Sequence, residues 1–330
     1  MPKYRIATDD FEGYPDLSTE AAPGRPPKTH HVPKKSKSAI LEGITEVTGL
    51  EGGFNPTYVP AKYEKVWLLS SLGVFYEEHL ISDVLAQVKG GKEATVYRCQ
   101  AYPETGLDLV AAKVYRPRQF RNLRNDKVYR EGRQILTGEG RVVKRTDSRI
   151  MRAIGKKTGF GVQVQHSSWL LYEYTTLAKL FAAGAAVPEP HAVSDNVIVM
   201  AYRGDRTTPA PPLQEVALPQ DQAKPLFEEV LRNVELMMQH GLVHGDLSAF
   251  NILYWDNQIT LIDFPQVSNI YSNPNARFFL ERDLKRICEY FDRYGVKSDW
   301  QALADRLWTE YARPELIEEM LPEQDVELYS

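Results

Sequence analysis

LVHGDLSAFNILYWDNQITLIDFPQ, residues 242–266, strings Asp246, Asn251 and Asp263 along two short apolar runs. Apolar runs bury themselves, whereas an acid or an amide enters a packed interior only with a partner. NILYW and QITLIDF read as two strands, and Asp256-Asn257 between them suits a two-residue hairpin turn. His244, Asp246, Asn251 and Asp263 then stand in the pattern H-x-D-x(4)-N-x(11)-D. An amide oxygen and a carboxylate on adjacent loops are ligands that a hard cation such as magnesium takes. Singly, Asp246 reads equally as a turn cap, Asn251 as a strand start and Asp263 as a strand-end acid. Together, at this spacing, they mark a site.

The rest of the chain bounds what that site can serve. Its 330 residues suffice for one large or two modest domains with a real core. At 43% hydrophobic and 25% charged, the composition is that of an ordinary globular protein. No apolar run reaches 18 residues and no charged-then-apolar leader opens the chain, so a cytoplasmic protein with no membrane partner is expected. Cys99 and Cys288 lie far apart, outside any C-x-x-C pattern, and read as buried hydrophobes in a reducing compartment. The net charge of −4 conceals an asymmetry: Lys113 to Lys157 holds fifteen Lys/Arg against four Asp/Glu, or +11, leaving −15 elsewhere. Such a segment suits an anionic partner, RNA or a ribosomal subunit among them, or is a self-repelling loop.

Residues 1–45 carry Pro2, Pro15, Pro23, Pro26, Pro27 and Pro33 with few large aliphatics, and read as a disordered tail. Residues 46–87 read as a helical extension, carried by AKYEKVWLLSSLGVFYEEHLISDVLAQ with Trp67, Leu68, Val74 and Leu80 as packing candidates. ATVYRC and LDLVAAKVY alternate as strands around a turn at 103–106. SSWLLYEYTTLAKLFAAG predicts a helix capped by Ser167 or Ser168 and closed by Gly184. VPEPHAVSDNVIVMAY predicts two strands joined at Asp195-Asn196. Beyond the Pro-rich TTPAPPLQ come three helices, DQAKPLFEEVLRNVELMMQHG, ARFFLERDLKRICEYFDRYG and SDWQALADRLWTEYA. The expected class is α+β with two lobes and a cleft between them. A small N-lobe, 88–202, would hold an antiparallel sheet, one helix and a basic insertion at about 116–160. A mainly helical C-lobe, 203–313, and a tail, 314–330, would follow.

The interval from Asp246 to Asn251 is similar to that of the protein-kinase catalytic loop, where the Asp accepts a hydroxyl proton and the Asn binds magnesium. Asp263 is placed like the metal-binding Asp of D-F-G. Lys113 in VAAKVY fits the strand lysine that neutralises nucleotide phosphates, and Glu173 on the following helix is its candidate partner. In VKGGKEATVY, Gly90 and Gly91 allow backbone to approach an anion, and Lys92 adds charge.

With these segments in hand, the chain resembles the RIO family of atypical protein kinases, nearest its RIO1-type branch, from about residue 66 to about 297. GGKEATVY is similar to the family's S-T-G-K-E-A-N-V-Y loop, HGDLSAFNILY to its H-x-D-L-S-E-F-N loop and IDFPQ to its I-D-x-P-Q motif. AAGAAVPEP, LERDLKRICEYF and QFRNLRNDKVYREGR are similar to further family segments. The resemblance implies an ATP- and magnesium-dependent serine/threonine kinase and ATPase that also phosphorylates itself. It makes Asp246 the proton acceptor, Asn251 and Asp263 the magnesium ligands, and Lys113 the phosphate ligand. It also implies Met200 to Tyr202 as the adenine-reading hinge and Asp263 as a possible aspartyl-phosphate. Maturation of the small ribosomal subunit is the family's setting. The chain departs from the pattern at Ala249, where the family has Glu, and at Gly90, where it favours Thr.

Two rivals share parts of this pattern. Small-molecule phosphotransferases of the aminoglycoside-kinase type also carry H-G-D-x(4)-N, but with His where this chain has Ser248. A non-catalytic RNA- or ribosome-binding scaffold would account for the basic segment instead.

Overall fold

The structure, a computed structural model, describes residues 54–116, 128–129, 131, 133, 135–137, 142–144, 146–156 and 158–313. The tails expected at 1–45 and 314–330, and much of the basic insertion, lie outside the described residues. Helix α1, Lys62–Glu77, leads into β1, Ile81–Gly90, β2, Ala94–Ala101, and β3, Leu109–Tyr115. Helices α2, Ser148–Gly155, and α3, Gly159–Ala182, precede the hairpin strands β4, Pro190–Val193, and β5, Val197–Ala201. These five strands form one antiparallel sheet in the order β1-β2-β3-β5-β4.

Strand alternation sorts the two faces of that sheet. On β3, Val110, Ala112 and Val114 face one way and pack with Leu68, Leu72 and Phe75 of α1. Ala111 and Tyr115 face the other way, against Trp169, Leu170, Leu171 and Tyr174 of α3. Lys113 shares this second parity, which is why a strand lysine is delivered to the α3 side. The sheet is thus covered by a helix on each face, α3 on one and, on the other, α1 from the helical extension expected ahead of the lobe.

The C-terminal lobe is mainly helical: α4, Gln220–Gln239, α5, Ala276–Asp292, and α6, Trp300–Tyr311, enclose a core that includes Val230, Met238, Leu284 and Leu307. Two short two-stranded ribbons complete it. One pairs β6, Leu242–Val243, with β9, Ser268–Asn269; the other pairs β7, Ile252–Trp255, with β8, Gln258–Leu261. The whole is the two-lobed α+β, protein-kinase-like architecture that the sequence predicts.

Two expectations are corrected. The helix predicted through Gln87 stops at Glu77, and 81–87 is instead the edge strand β1 of the sheet. The helix predicted from Ser167 or Ser168 begins two turns earlier, capped by Thr158, whose hydroxyl accepts the Gly161 amide at 3.1 Å. Ser167 and Ser168 are buried inside it, where the Ser168 hydroxyl accepts the Leu136 amide at 2.8 Å.

Candidate active site

Lys113 Nζ lies 2.8 Å from Glu173 Oε1 and 2.7 Å from Asp263 Oδ1. The helix supplies Glu173 by its period: Leu170, Glu173, Tyr174 and Leu177 form an i, i+3, i+4, i+7 stripe, all buried. Only 1% of Glu173 is exposed, so its charge needs Lys113 and the Tyr115 hydroxyl, which donates to Oε2. Burial disfavours the Lys113 ammonium, but the Asp263 and Glu173 carboxylates outweigh it and hold its pKa well above the usual lysine value. Burial and the facing Glu173 push the Tyr115 phenol up, keeping it a proton donor.

The β7–β8 hairpin places the other two candidates. Asp256 and Asn257, at φ +49° and +58°, make the tight turn read from the sequence. Ile252 pairs with Leu261, so one step outward Asn251 stands opposite Ile262, and the Ile262 amide donates to the Asn251 carbonyl at 2.9 Å. Asn251 and Asp263 therefore emerge side by side from the open end of the hairpin. Asp263 adopts φ +71°, a left-handed conformation that costs a non-glycine residue energy and concentrates at functional sites. Its side chain is 44% exposed toward the cleft. Packing raises its pKa, and the Lys113 ammonium more than reverses this, holding the carboxyl below its usual range.

Asp246 sits on the preceding loop. The Asn251 side-chain amide donates to the Asp246 carbonyl at 2.9 Å, which commits its nitrogen and leaves the oxygen as its ligand atom. Arg286 Nη1 of α5 meets Asp246 Oδ1 at 2.8 Å. His244 is buried, and burial lowers its pKa. The neutral ring accepts the Asp246 amide on Nδ1 at 3.3 Å, leaving Nε2–H to donate to the Ile262 carbonyl at 3.1 Å. The histidine thus ties the Asp246 loop to the residue between the end of β8 and Asp263. Gly245 has φ +81°, and a Cβ there would stand 2.5 Å from the Gln266 carbonyl oxygen, so only glycine fits.

Gly91 shows the same logic at the β1–β2 turn: its amide donates to Ala94 O at 2.8 Å, and a Cβ would stand 2.8 Å from that oxygen. Lys92 is exposed at this turn, and Gly90 ends β1 beside it. Met200 lies near the end of β5, and Tyr202 follows with its ring 5.9 Å from the Arg98 guanidinium. Both pack in the α3-side core where the chain leaves the sheet for the helical lobe.

Several residues that serve this site were not singled out from sequence. Arg286 and Asp283 sit in LERDLKRICEYF, whose helical period hides which acids and cations turn inward. Lys89, at the end of β1, contributes to lowering the Asp263 pKa. Arg133 of the basic segment donates to the Pro265 and Val267 carbonyls at 2.7 and 2.6 Å. Nearby, Asn273 and Ser268 donate to the Val128 and Tyr129 carbonyls. No periodic signal in the insertion announced this docking. A cavity of about 460 Å³ opens beside Asp246 and Asn251, lined also by Ser248, Phe250, Arg286 and Arg293.

Among the described residues, no three or more His, Cys, Asp or Glu side chains form a metal cage. An amide oxygen from Asn251 and a carboxylate from Asp263 are a donor set that fits magnesium, which keeps several waters and nucleotide oxygens in its shell. No helix among the described residues is long and apolar enough to cross a membrane.

The RIO-domain family model matches residues 95–303. The RIO-type serine/threonine-protein kinase Rio1 of Haloferax volcanii is 31% identical over 216 residues, covering 66% of this chain and 66% of that protein. Rio1 of Thermoplasma acidophilum is 31% identical over 131 residues, covering 40% of this chain and 67% of its own. The serine/threonine-protein kinase RIO1 of Caenorhabditis elegans is 28% identical over 242 residues, covering 70% of this chain. The chain spans about two thirds of the archaeal relatives and 42% of the nematode one.

Proposed function

The chain belongs to the RIO family, and on that footing we propose that it is a RIO-type serine/threonine kinase and ATPase acting on magnesium-bound ATP. One observation carries the reading: Lys113 Nζ bridges Glu173 and Asp263 at 2.8 and 2.7 Å, from three elements far apart in sequence. In this reading the Lys113 ammonium, kept charged by its two acids, receives the nucleotide phosphates, and Glu173 aims it. Asp246 accepts the proton of the attacking hydroxyl or water. The Asn251 amide oxygen and the Asp263 carboxylate hold magnesium, which when bound neutralises phosphate charge. Gly90, Gly91 and Lys92 cover the phosphates, and the backbone of Met200 to Tyr202 reads the adenine.

From Asp263 to the start of α5 at Ala276 there is little chain and no A-P-E motif. That leaves scant room for a peptide-docking platform, so ATP hydrolysis and self-phosphorylation, on serine or on Asp263, are expected to exceed transfer to peptides. Labelled ATP and magnesium, incubated with the purified chain, test this. Label in inorganic phosphate or on the protein supports it; robust, sequence-selective peptide labelling contradicts it. The buried, unpaired Cys99 and Cys288 fit work in a reducing cytoplasm.

The charge of segment 113–157 favours a second, compatible reading, in which it docks the enzyme on an RNA-containing particle such as a ribosomal subunit. Binding of that kind weakens steeply with salt, and a titration of RNA affinity against ionic strength measures it.

A further inference from the structure

A second concave site lies outside the cleft. A cavity of about 440 Å³ opens where α2 turns into α3, and its lining is Ser148, Arg149, Arg152, Ala153, Lys156 and Thr158. Among the described residues its lining holds three cations, two hydroxyls and no acid. Arg149, Arg152 and Lys156 recur at i, i+3 and i+7, so one face of α2, continued by its C-terminal cap residue Lys156, presents all three. None of them makes an ion pair among the described residues, and all are exposed. Two apolar side chains close in sequence are partly exposed, Met151 by 37% and Phe160 by 41%. Three like charges held this close repel one another, a cost that an anionic occupant would remove.

The chain itself carries a matching segment. Residues 314–330, PELIEEMLPEQDVELYS, hold Glu315, Glu318, Glu319, Glu323, Asp325 and Glu327, with no Lys, Arg or His. Leu316, Ile317, Met320 and Leu321 are interleaved with those acids, as Met151 and Phe160 are with the cations. The described chain leaves the folded body after α6, at Arg313. Seventeen residues reach about 56–60 Å when extended, at roughly 3.3–3.6 Å each. The distal acids Glu323, Asp325 and Glu327 lie ten to fourteen residues past Arg313, a contour of about 33–50 Å, and these are the ones that serve a cavity at that distance from the exit. Tethering also supplies an effective concentration of about 1 mM or more, enough to populate a contact that a free peptide would make only weakly.

We propose that the Arg149–Arg152–Lys156 cavity is a docking site for an acidic, apolar-interleaved polypeptide segment, and that its occupant is residues 314–330 of the same chain. The contact is electrostatic at its centre and apolar at its rim. It sits within the segment of greatest positive charge, so any polyanionic partner of that segment has to displace it. The site is independent of nucleotide, and its test does not depend on turnover.

The experiment is zero-length carbodiimide coupling of the full-length chain at low ionic strength, followed by peptide mass analysis, with ATP turnover recorded on the same sample. The expected result is an amide link from Lys156 to a carboxylate in 315–327, in material of monomer mass, falling at least fivefold in 0.5 M salt. A variant with the six tail acids changed to Gln should lose the link and bind a fluorescent polyuridine RNA at least fivefold more tightly. Links found only in material of dimer mass would assign the cavity to a second copy and overturn the proposal. Absence of any link, with RNA affinity unchanged in the Gln variant, would overturn it as well. Loss of ATP turnover in wild type, with the link intact, would instead count against the kinase reading alone.

Discussion

Asp283 and Gly245 are joined by a hydrogen bond of 2.8 Å from the glycine amide to the buried carboxylate, across thirty-seven intervening residues. The glycine conformation that puts Asp246 at the cleft is thereby fastened to α5. Arg282 completes the clasp by donating to the Gly245 carbonyl. Burial pushes the Asp283 carboxyl up to about 7, so the folded protein holds that proton far longer than the unfolded chain, whose aspartates titrate near 3.9.

Stability should therefore depend on pH through this one group. Between about pH 4 and pH 7 the folded state binds more protons than the unfolded state, so unfolding free energy falls as pH rises. The contribution is complete below the unfolded pKa and lost through pH 7, with a ceiling of about 4 kcal/mol. Asp283→Asn keeps an oxygen for the Gly245 amide but cannot ionise. Urea unfolding at several pH values should show wild type losing stability relative to the variant across that window. Parallel curves would show that Asp283 does not titrate there.

Lys113→Met should both weaken nucleotide binding and destabilise the fold. It strands the Glu173 carboxylate, 1% exposed, with only the Tyr115 hydroxyl as partner. Breaking a buried pair in this way costs about 3–5 kcal/mol. Adding Glu173→Gln should recover a large part of that stability without restoring turnover. A double-mutant cycle in urea measures the coupling, and simple additivity of the two losses would contradict the buried pair.

Asp246→Ala and Asp263→Ala should fail differently. The first should cut ATP turnover by about 10²–10⁴-fold while leaving magnesium-dependent ATP affinity nearly unchanged. The second should weaken nucleotide binding itself, and only when magnesium is present. Equilibrium binding with and without the metal, beside turnover, separates them; equal turnover by Asp246→Ala and wild type would remove Asp246 from its role.

Gly245→Ala should leave most of the fold intact and silence the site. The added Cβ meets the Gln266 carbonyl oxygen at 2.5 Å and the residue must hold φ +81°, a strain of about 1–3 kcal/mol. Circular dichroism close to wild type with turnover lowered at least tenfold is the expected pair of results.

The hairpin, its turn and the trio Asp246, Asn251 and Asp263 were legible because residue type, turn chemistry and spacing agree. Lys113 was legible from the VAAKVY strand motif and Glu173 from the helix that follows it, and the fold brings them within 2.8 Å. Strand β1 was not: three register irregularities, between Ile81 and Asp83, Val84 and Ala86, and Gln87 and Lys89, break the alternation that would betray it. The start of α3 was hidden by two serines that look like caps but are buried, while Thr158 leads into Gly159 and Gly161, poor helix formers. Arg286 and Asp283 escaped notice because their partners lie about forty residues away, a distance that only the folded chain closes.

Arg133 grips the two carbonyls that flank Gln266, just past Asp263, with a single nitrogen. The described part of the basic segment is therefore fastened to the loop that follows Asp263. Removing that one guanidinium frees both carbonyls at once, and with them a restraint on the stretch that follows Asp263.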